Sequence, residues 1–202
     1  MSRYFYHGVS SIASTLKILQ SGSIQCRRLL GKKANGYNGL DYVSVCKKYA
    51  EEDYQNTDLD NAFYKYVQNY CCFILSEEIP AMKTFPTKHI GDYPMDTILF
   101  DKQKRVSDMF DEWQVYREIP LSFVVGIGIP CDYFLTIIRL TSPSNETIRE
   151  MKEIIQIACS LGLDIVDTNV QGFAEEYEKQ KLDTSRKVYQ ISKKLEEAIN
   201  HE

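Results

Sequence analysis

Residues 3–24 read RYFYHGVSSIASTLKILQSGSI, and this stretch decides the fold class that the sequence predicts. The aromatic segment 3–7 is typical of a short strand, and Ser10 or Ser11 after it is a suitable helix cap. The apolar face of the following helix would consist of Ile12, Leu16 and Leu19. Ser21-Gly22-Ser23 would stop that helix, and Ile24 would begin a second extended piece. A strand joined this closely to a helix indicates a domain that mixes both kinds of structure.

The rest of the chain continues this alternation of strands and helices. Further strands are predicted at about 41–46, 71–75, 98–100, 113–117, 123–129 and 163–167. A helix is predicted from 144 to about 162, and a final amphipathic helix from about 184 to 198. We therefore predict an α+β fold with a mainly β middle. Residues 1–143 would form the functional domain, and residues 144–202 a helical C-terminal extension packed on it.

Composition limits the class of protein more than it defines a function. The chain has 202 residues, is 44% apolar and carries a net charge of −4, so it can build a core and has no overall attraction for nucleic acid. Its six cysteines form no C-x-x-C pair, and only three histidines are present, which argues against a zinc site. No segment has the apolar length of a signal peptide or a membrane span, and no membrane partner is expected. These features predict a cytoplasmic protein, or one delivered into a target cell without a leader.

Three motifs follow one another in the first two thirds of the chain. The first is YFYHGVS at residues 4–10, followed by a helix and ILQSGSI at 18–24; the second is GLDYVSV at 39–45; the third is DEWQVY at 111–116. In order, spacing and element type the set resembles the ADP-ribosyltransferase superfamily in its His-Tyr-Glu form, as in poly(ADP-ribose) polymerases and diphtheria-toxin-like enzymes. The resemblance covers roughly residues 3–130.

The resemblance implies NAD⁺ as a substrate, no metal, and a split β-sheet core with flanking helices. It assigns the reaction centre to His7, Tyr42 and Glu112. In this assignment His7 binds the adenosine-side ribose, Tyr42 stacks on nicotinamide, and the Glu112 carboxylate stabilises positive charge on the reacting sugar.

The remaining NAD⁺-binding residues implied by the resemblance lie close to these three. Gly8 would bring its backbone to the nicotinamide carboxamide, and Ser44 would bond the carboxamide oxygen. Ser10 and Tyr49 complete the set. No glycine-rich phosphate loop opens a helix, which disfavours a Rossmann-type NAD site.

Two of these assignments have rivals in the same sequence. Tyr49 and Tyr54 are alternative stacking rings to Tyr42, and Glu118 is an alternative carboxylate to Glu112. Alternation in the segment 113–117 makes Glu112 the residue that opens a strand, which favours it over Glu118.

The segment before Glu112 bears on the choice of acceptor. Phe110 stands where superfamily members that modify arginine or asparagine have Glu or Gln, which argues against both targets. The Lys/Arg run at 102–105 would suit a phosphate-bearing or acidic acceptor, although such a run is more often a solvated loop.

The function implied by the resemblance is mono-ADP-ribosyl transfer to a macromolecular acceptor, protein or nucleic acid, as in a toxin, effector or defence protein. Three alternatives remain open at this stage. Water as the nucleophile would make the chain an NAD⁺ glycohydrolase, and a changed substrate would make it an RNA 2′-phosphotransferase. The chain would otherwise be a non-catalytic module that binds NAD⁺, ADP-ribose or a protein partner. The C-terminal helices have three alternative roles, which are packing on the core, dimerisation and binding of an antidote or regulatory partner; the first is the commonest.

Overall fold

The computed structural model describes residues 4–9, 11–32, 41–46, 71–83, 112–140 and 145–168, with the single positions 177, 179 and 197. The strands within these residues are β1 (Phe5–Gly8), β2 (Ser23–Gln25), β3 (Tyr42–Cys46), β4 (Cys72–Leu75), β5 (Met82–Lys83), β6 (Glu112–Tyr116), β7 (Glu118–Pro120), β8 (Val124–Ile129) and β9 (Asp164–Asp167). The helices are α1 (Ile12–Ser21), α2 (Cys131–Leu140) and α3 (Asn145–Ser160). A 3-10 turn, Leu121–Phe123, joins β7 to β8.

The strands form one large and one small sheet. The large sheet has the order β5-β6-β3-β1-β4-β8-β9, and β2 and β7 form a separate two-stranded sheet. β8 and β9 run parallel, whereas the other pairs are antiparallel. The predicted α+β class is confirmed at this level, with a central sheet and few helices in the described part of the chain.

One face of the large sheet packs against α1 and α3. The buried residues that the strands contribute to this core are Phe5, Val43, Val45, Phe73, Leu75, Val115, Ile127 and Ile165. α1 adds Leu16 and Leu19, and α3 adds Met151, Ile154 and Ala158. Because α3 and β9 both follow residue 143, the C-terminal part of the chain shares the core of the N-terminal part.

Helix α1 has a signal at each end. The Ser11 hydroxyl accepts a hydrogen bond from the Ser14 N–H at 3.1 Å, a helix cap worth about 1 kcal/mol. Gly22 ends the helix in the left-handed conformation, with φ 81°. Gln20 then donates to Glu153 of α3 at 2.7 Å, which links the two helices that cover the sheet.

Tyrosines pack on the other face of the sheet. Tyr6 of β1 lies opposite Cys46 and Ile74, and all three are buried. The Tyr177 hydroxyl donates to Asp164 of β9 at 2.8 Å, and its ring meets Tyr4 edge-on at 5.2 Å. A residue from the C-terminal region therefore connects the strand next to β8 with the segment that leads into β1.

Most predicted elements in the described residues are present. The expected strands at 3–7, 41–46, 71–75, 113–117, 123–129 and 163–167 are β1, β3, β4, β6, β8 and β9. The helix predicted from 144 to 162 is α3. The strand at 98–100 lies outside the described residues, as does the helix at 184–198 except for position 197. No helix in the described part of the chain is long and apolar enough to cross a membrane.

Three elements were not predicted, and each has a physical reason. α2 is rich in aromatic and β-branched residues, whose intrinsic preference is for strands, so its helical form depends on packing. β5 and β7 have only two and three residues, too few to show an alternating pattern.

Candidate functional site

The three predicted motifs lie on three strands that are side by side. β3 pairs with β1 on one side and with β6 on the other, although 65 residues separate the end of β3 from the start of β6 in the sequence. Tyr6 lies opposite Cys46, and Cys46 lies opposite Glu112, so one row of paired residues crosses all three strands. Tertiary structure thus brings the His-Gly, Tyr and Glu segments into one part of the sheet.

His7 is held by the neighbouring strand. Its ring nitrogen Nδ1 lies 2.8 Å from the carbonyl oxygen of Ser44. A carbonyl oxygen only accepts, so the proton of the neutral ring is on Nδ1 and the lone pair is on Nε2. Burial lowers the pKa of His7 below its ordinary value, and the hydrogen bond to Ser44 only partly opposes this. His7 is therefore a fixed, neutral hydrogen-bond acceptor at neutral pH.

The Ser44 contact differs from the predicted one. The sequence predicted a role for the Ser44 hydroxyl, whereas the structure shows its backbone carbonyl orienting His7. A contact through the backbone cannot be predicted from the residue type, because every residue carries a backbone carbonyl. The signal that would have found it is the strand register, in which Tyr6 opposite Cys46 brings His7 next to Val45 and Ser44.

Gly8 ends β1 and is buried. It lies opposite Cys72 of β4, and the next residue, Val9, donates its N–H to the Cys71 carbonyl at 2.8 Å. The backbone after His7 is thus fixed to β4 as well as to β3. Ser10 and Tyr49, the other predicted NAD⁺-binding residues, lie outside the described residues, as do Tyr54, Phe110 and the basic run at 102–105.

Glu112 is the first residue of β6, where the sequence predicted a strand-opening carboxylate. Its backbone pairs with Cys46 of β3, and Cys46 pairs with Tyr6, the residue before His7 in β1. Glu112 and His7 are therefore two strands apart. Two strand spacings correspond to about 10 Å. The row that contains Glu112 also contains Tyr6, the neighbour of His7, so strand alternation puts the Glu112 position on the sheet face of Tyr42, opposite that of His7.

The rival carboxylate Glu118 lies in the small sheet. It is exposed, pairs with Gln25 across β2 and β7, and accepts a hydrogen bond from the Ser23 hydroxyl at 3.0 Å. Its position belongs to the β2–β7 ladder and not to the row that contains Glu112.

Tyr42 opens β3 at the end of the sheet far from Glu112. Its ring meets Tyr116 edge-on, with ring centres 5.6 Å apart. Tyr42 pairs with Tyr116, four residues along β6 from Glu112, which is about 13 Å of strand. Its neighbour Val43 points into the core, as does Phe73 opposite His7, so alternation puts Tyr42 and His7 on opposite faces. The structure therefore brings the strands of His7 and Tyr42 together but not their rings.

The cysteines and the acidic residues that the structure describes do not form an alternative centre. Five cysteines are buried, Cys159 is exposed, and all six are free thiols. Burial raises the pKa of Cys71 and of Cys72 to about 12, which keeps both thiols protonated. No cluster of three or more potential metal-ligating side chains occurs within the described ranges.

Comparison with known proteins gave no relative. No family model, no curated protein and no solved structure matches the chain.

Proposed function

We propose that the chain is an NAD⁺-dependent mono-ADP-ribosyltransferase that transfers ADP-ribose to a macromolecular acceptor. One observation carries the proposal: the His-Gly, Tyr and Glu segments lie on the adjacent strands β1, β3 and β6. A shared substrate site requires these segments to be close in space, and their adjacent strands meet that requirement. The finer fold, an ADP-ribosyltransferase-like split sheet with flanking helices, is part of the same proposal.

The reaction breaks the bond between C1′ of the ribose and the nicotinamide nitrogen. The bonding electrons leave with nicotinamide, which is already a good leaving group because it carries the positive charge in NAD⁺. The ribose acquires oxocarbenium character, the acceptor nucleophile forms a bond at C1′, and the nucleophile loses its proton. The Glu112 carboxylate would stabilise the positive sugar and receive that proton.

His7 would position the substrate and would not exchange protons. Its Nε2 lone pair suits a ribose hydroxyl, which donates while the Nδ1 proton stays on the Ser44 carbonyl. A cationic histidine would repel both the pyridinium ring and the developing sugar cation. The lowered pKa of His7 supports this role because it keeps the ring neutral.

Other residues of β1 and β3 would bind the nicotinamide end. Gly8 offers backbone groups without a side chain in the way, and Ser44 and Ser10 offer hydroxyls. The stacking ring would come from Tyr42 or Tyr49. Tyr42 contacts Tyr116 edge-on on the face away from His7, so Tyr49 stays an alternative stacking ring.

Two further observations fit the proposal. The engagement of Glu118 with Ser23 in the small sheet supports Glu112 as the reacting carboxylate. The six free thiols support action in a reducing compartment, such as the cytoplasm of the producing or target cell.

The test is the fate of NAD⁺ labelled in its ADP-ribose half. Incubation of the full chain with cell lysate should release nicotinamide and transfer label to a macromolecule. Glu112→Gln should lower the rate of nicotinamide release by about 100-fold or more while NAD⁺ still binds, because the substitution removes charge stabilisation from the transition state.

Glu118→Gln is the matched control and should keep activity, since it makes the same chemical change in the other sheet. Loss of activity in Glu118→Gln with activity kept in Glu112→Gln would reverse the assignment. Nicotinamide release without labelled acceptor would indicate a glycohydrolase, and no NAD⁺ binding or consumption would reject an NAD⁺-using enzyme. Of the variants Tyr42→Ala and Tyr49→Ala, the one that loses NAD⁺ affinity identifies the stacking ring.

A further inference from the structure

An exposed group of aromatic and basic side chains lies where β3 begins and β6 ends. We define the tyrosine–arginine platform by Arg28, Asp41, Tyr42, Tyr116 and Arg117. Tyr116 is 57% exposed although it is a large ring in a strand, and it is kept in place by the edge contact with Tyr42. An exposed ring beside a cation offers a ligand both a stacking face and a positive charge.

Arg28 is fixed in the platform by an ion pair. Its guanidinium donates two hydrogen bonds to the Asp41 carboxylate, through Nε and, at 3.1 Å, through a terminal nitrogen. Its side chain is nevertheless 61% exposed, and three of its five N–H groups are not used in this pair. The pair therefore orients the guanidinium without covering it.

Arg117 has an unfavourable backbone conformation. Its φ is 64°, and it is the only non-glycine residue with positive φ in the described part of the chain. Its N–H donates to the Asp41 carbonyl and its carbonyl accepts from the Cys26 N–H, both at 2.7 Å. A left-handed arginine costs about 1–2 kcal/mol, which glycine would not incur. This outlier at an exposed position is the reason to look for a function of the Arg117 side chain.

The charges favour an anionic partner. Arg28 and Arg117 belong to the platform, and Lys32 is exposed in the turn that follows Arg28. Asp41 bonds Arg28 and is also close enough to Arg117 for that charge to lower its pKa, and Glu118, next to Arg117 in the sequence, bonds Ser23. Since the whole chain has a net charge of −4, the attraction would be local and would involve few contacts.

We propose that the tyrosine–arginine platform binds single-stranded nucleic acid. An unstacked base would lie on the Tyr116 ring, while Arg28 and Arg117 bind the flanking phosphates. A duplex keeps its bases stacked and offers none to Tyr116, and an acidic peptide offers charge without an aromatic face. The binding does not depend on NAD⁺ chemistry, so it stands or falls separately from the proposed function. If both hold, the platform would present the acceptor.

The test is fluorescence anisotropy with the full chain and labelled 12-nucleotide RNA and DNA single strands at low salt. Tyr116→Ala should weaken binding about tenfold, and Tyr116→Phe should keep it, because stacking needs the ring and not the hydroxyl. Arg117→Gly should weaken binding several-fold while the melting temperature stays the same or rises. Two phosphate contacts predict a slope of about −1.4 in log K against log salt, which should fall to about −0.7 in Arg117→Gly.

Lys17→Ala is the matched control, since it removes one exposed cation from α1 without touching the platform, and it should bind as the wild type does. Absence of binding to every single strand would overturn the proposal. Equal effects of Lys17→Ala and Arg117→Gly, or equal affinity for a duplex of the same length, would also overturn it. If a polyglutamate peptide displaces the labelled strand equally well, the partner is an acidic peptide. If NAD⁺ displaces the strand and this displacement depends on Arg117, the platform binds the dinucleotide instead.

Discussion

The two halves of the large sheet differ in what their strands bury. In the half formed by β4 and β8, nearly every residue is buried, because both faces are covered. In the half formed by β1, β3 and β6, β3 and β6 alternate core residues with half-buried or exposed ones such as Ser44 and Tyr116, and β1 carries the half-buried His7 on the core face. The three predicted motifs all lie in the second half.

The buried half of the sheet therefore supports the fold, and the other half carries the candidate site residues. A strand buried on both faces resists any change of shape or polarity, because a buried polar group needs a partner and a cavity is costly. A strand with one core face is held by that face and keeps its other positions available for polar side chains. β1 stands at the boundary, because it pairs with β4 on one side and with β3 on the other. His7 is thus attached directly to the rigid half.

The largest expected effect is a loss of stability in the buried half. Ile127 of β8 is completely buried, so Ile127→Ala should lower the free energy of unfolding by about 2–5 kcal/mol. Tyr116→Ala removes a larger side chain from the other half but should cost less than about 1 kcal/mol, since the ring is exposed and loses mainly its contact with Tyr42. Urea denaturation of both variants measures this contrast, and equal losses would refute it.

A smaller effect should appear in the pH dependence of stability. The pKa of His7 is lowered by folding, so the unfolded chain binds the proton first as the pH falls through the ordinary value of 6.5. The free energy of unfolding therefore has its full value above this pH. As the pH falls from 6.5 to the lowered pKa of His7, it decreases by at most about 1.4 kcal/mol per pH unit. His7→Gln should lose this part of the dependence in denaturation curves between pH 7.5 and 5. An unchanged profile would mean that His7 titrates normally in the folded chain.

The smallest expected effect is a gain. Arg117→Gly removes a left-handed cost of about 1–2 kcal/mol but adds about 0.5–1 kcal/mol of chain entropy in the unfolded state, so the net stabilisation should lie between about 0 and 1.5 kcal/mol. Thermal unfolding should show a slightly higher melting temperature. A clear drop would mean that the Arg117 side chain itself stabilises the β6–β7 corner.

Local patterns predicted much of the fold. Alternation identified β3 and β6, the continuous apolar run identified β4, and a serine cap with an apolar stripe identified α1. They missed α2, in which packing overrides the strand preference of its residues, and the very short strands β5 and β7. For the candidate site, they predicted which strands carry His7 and Glu112, but neither the Ser44 carbonyl contact nor the face of Tyr42.

The sequence by itself thus determined the element types and the three motifs, because residue preference and periodicity act over a few neighbouring positions. Only the tertiary structure decided that β1, β3 and β6 are adjacent, that His7 is a neutral acceptor bonded to Ser44, and that Arg117 adopts positive φ beside Tyr116. These features depend on strand order and register, which are set by contacts between residues far apart in the chain. A one-residue change of register would turn each of these side chains to the other face of the sheet.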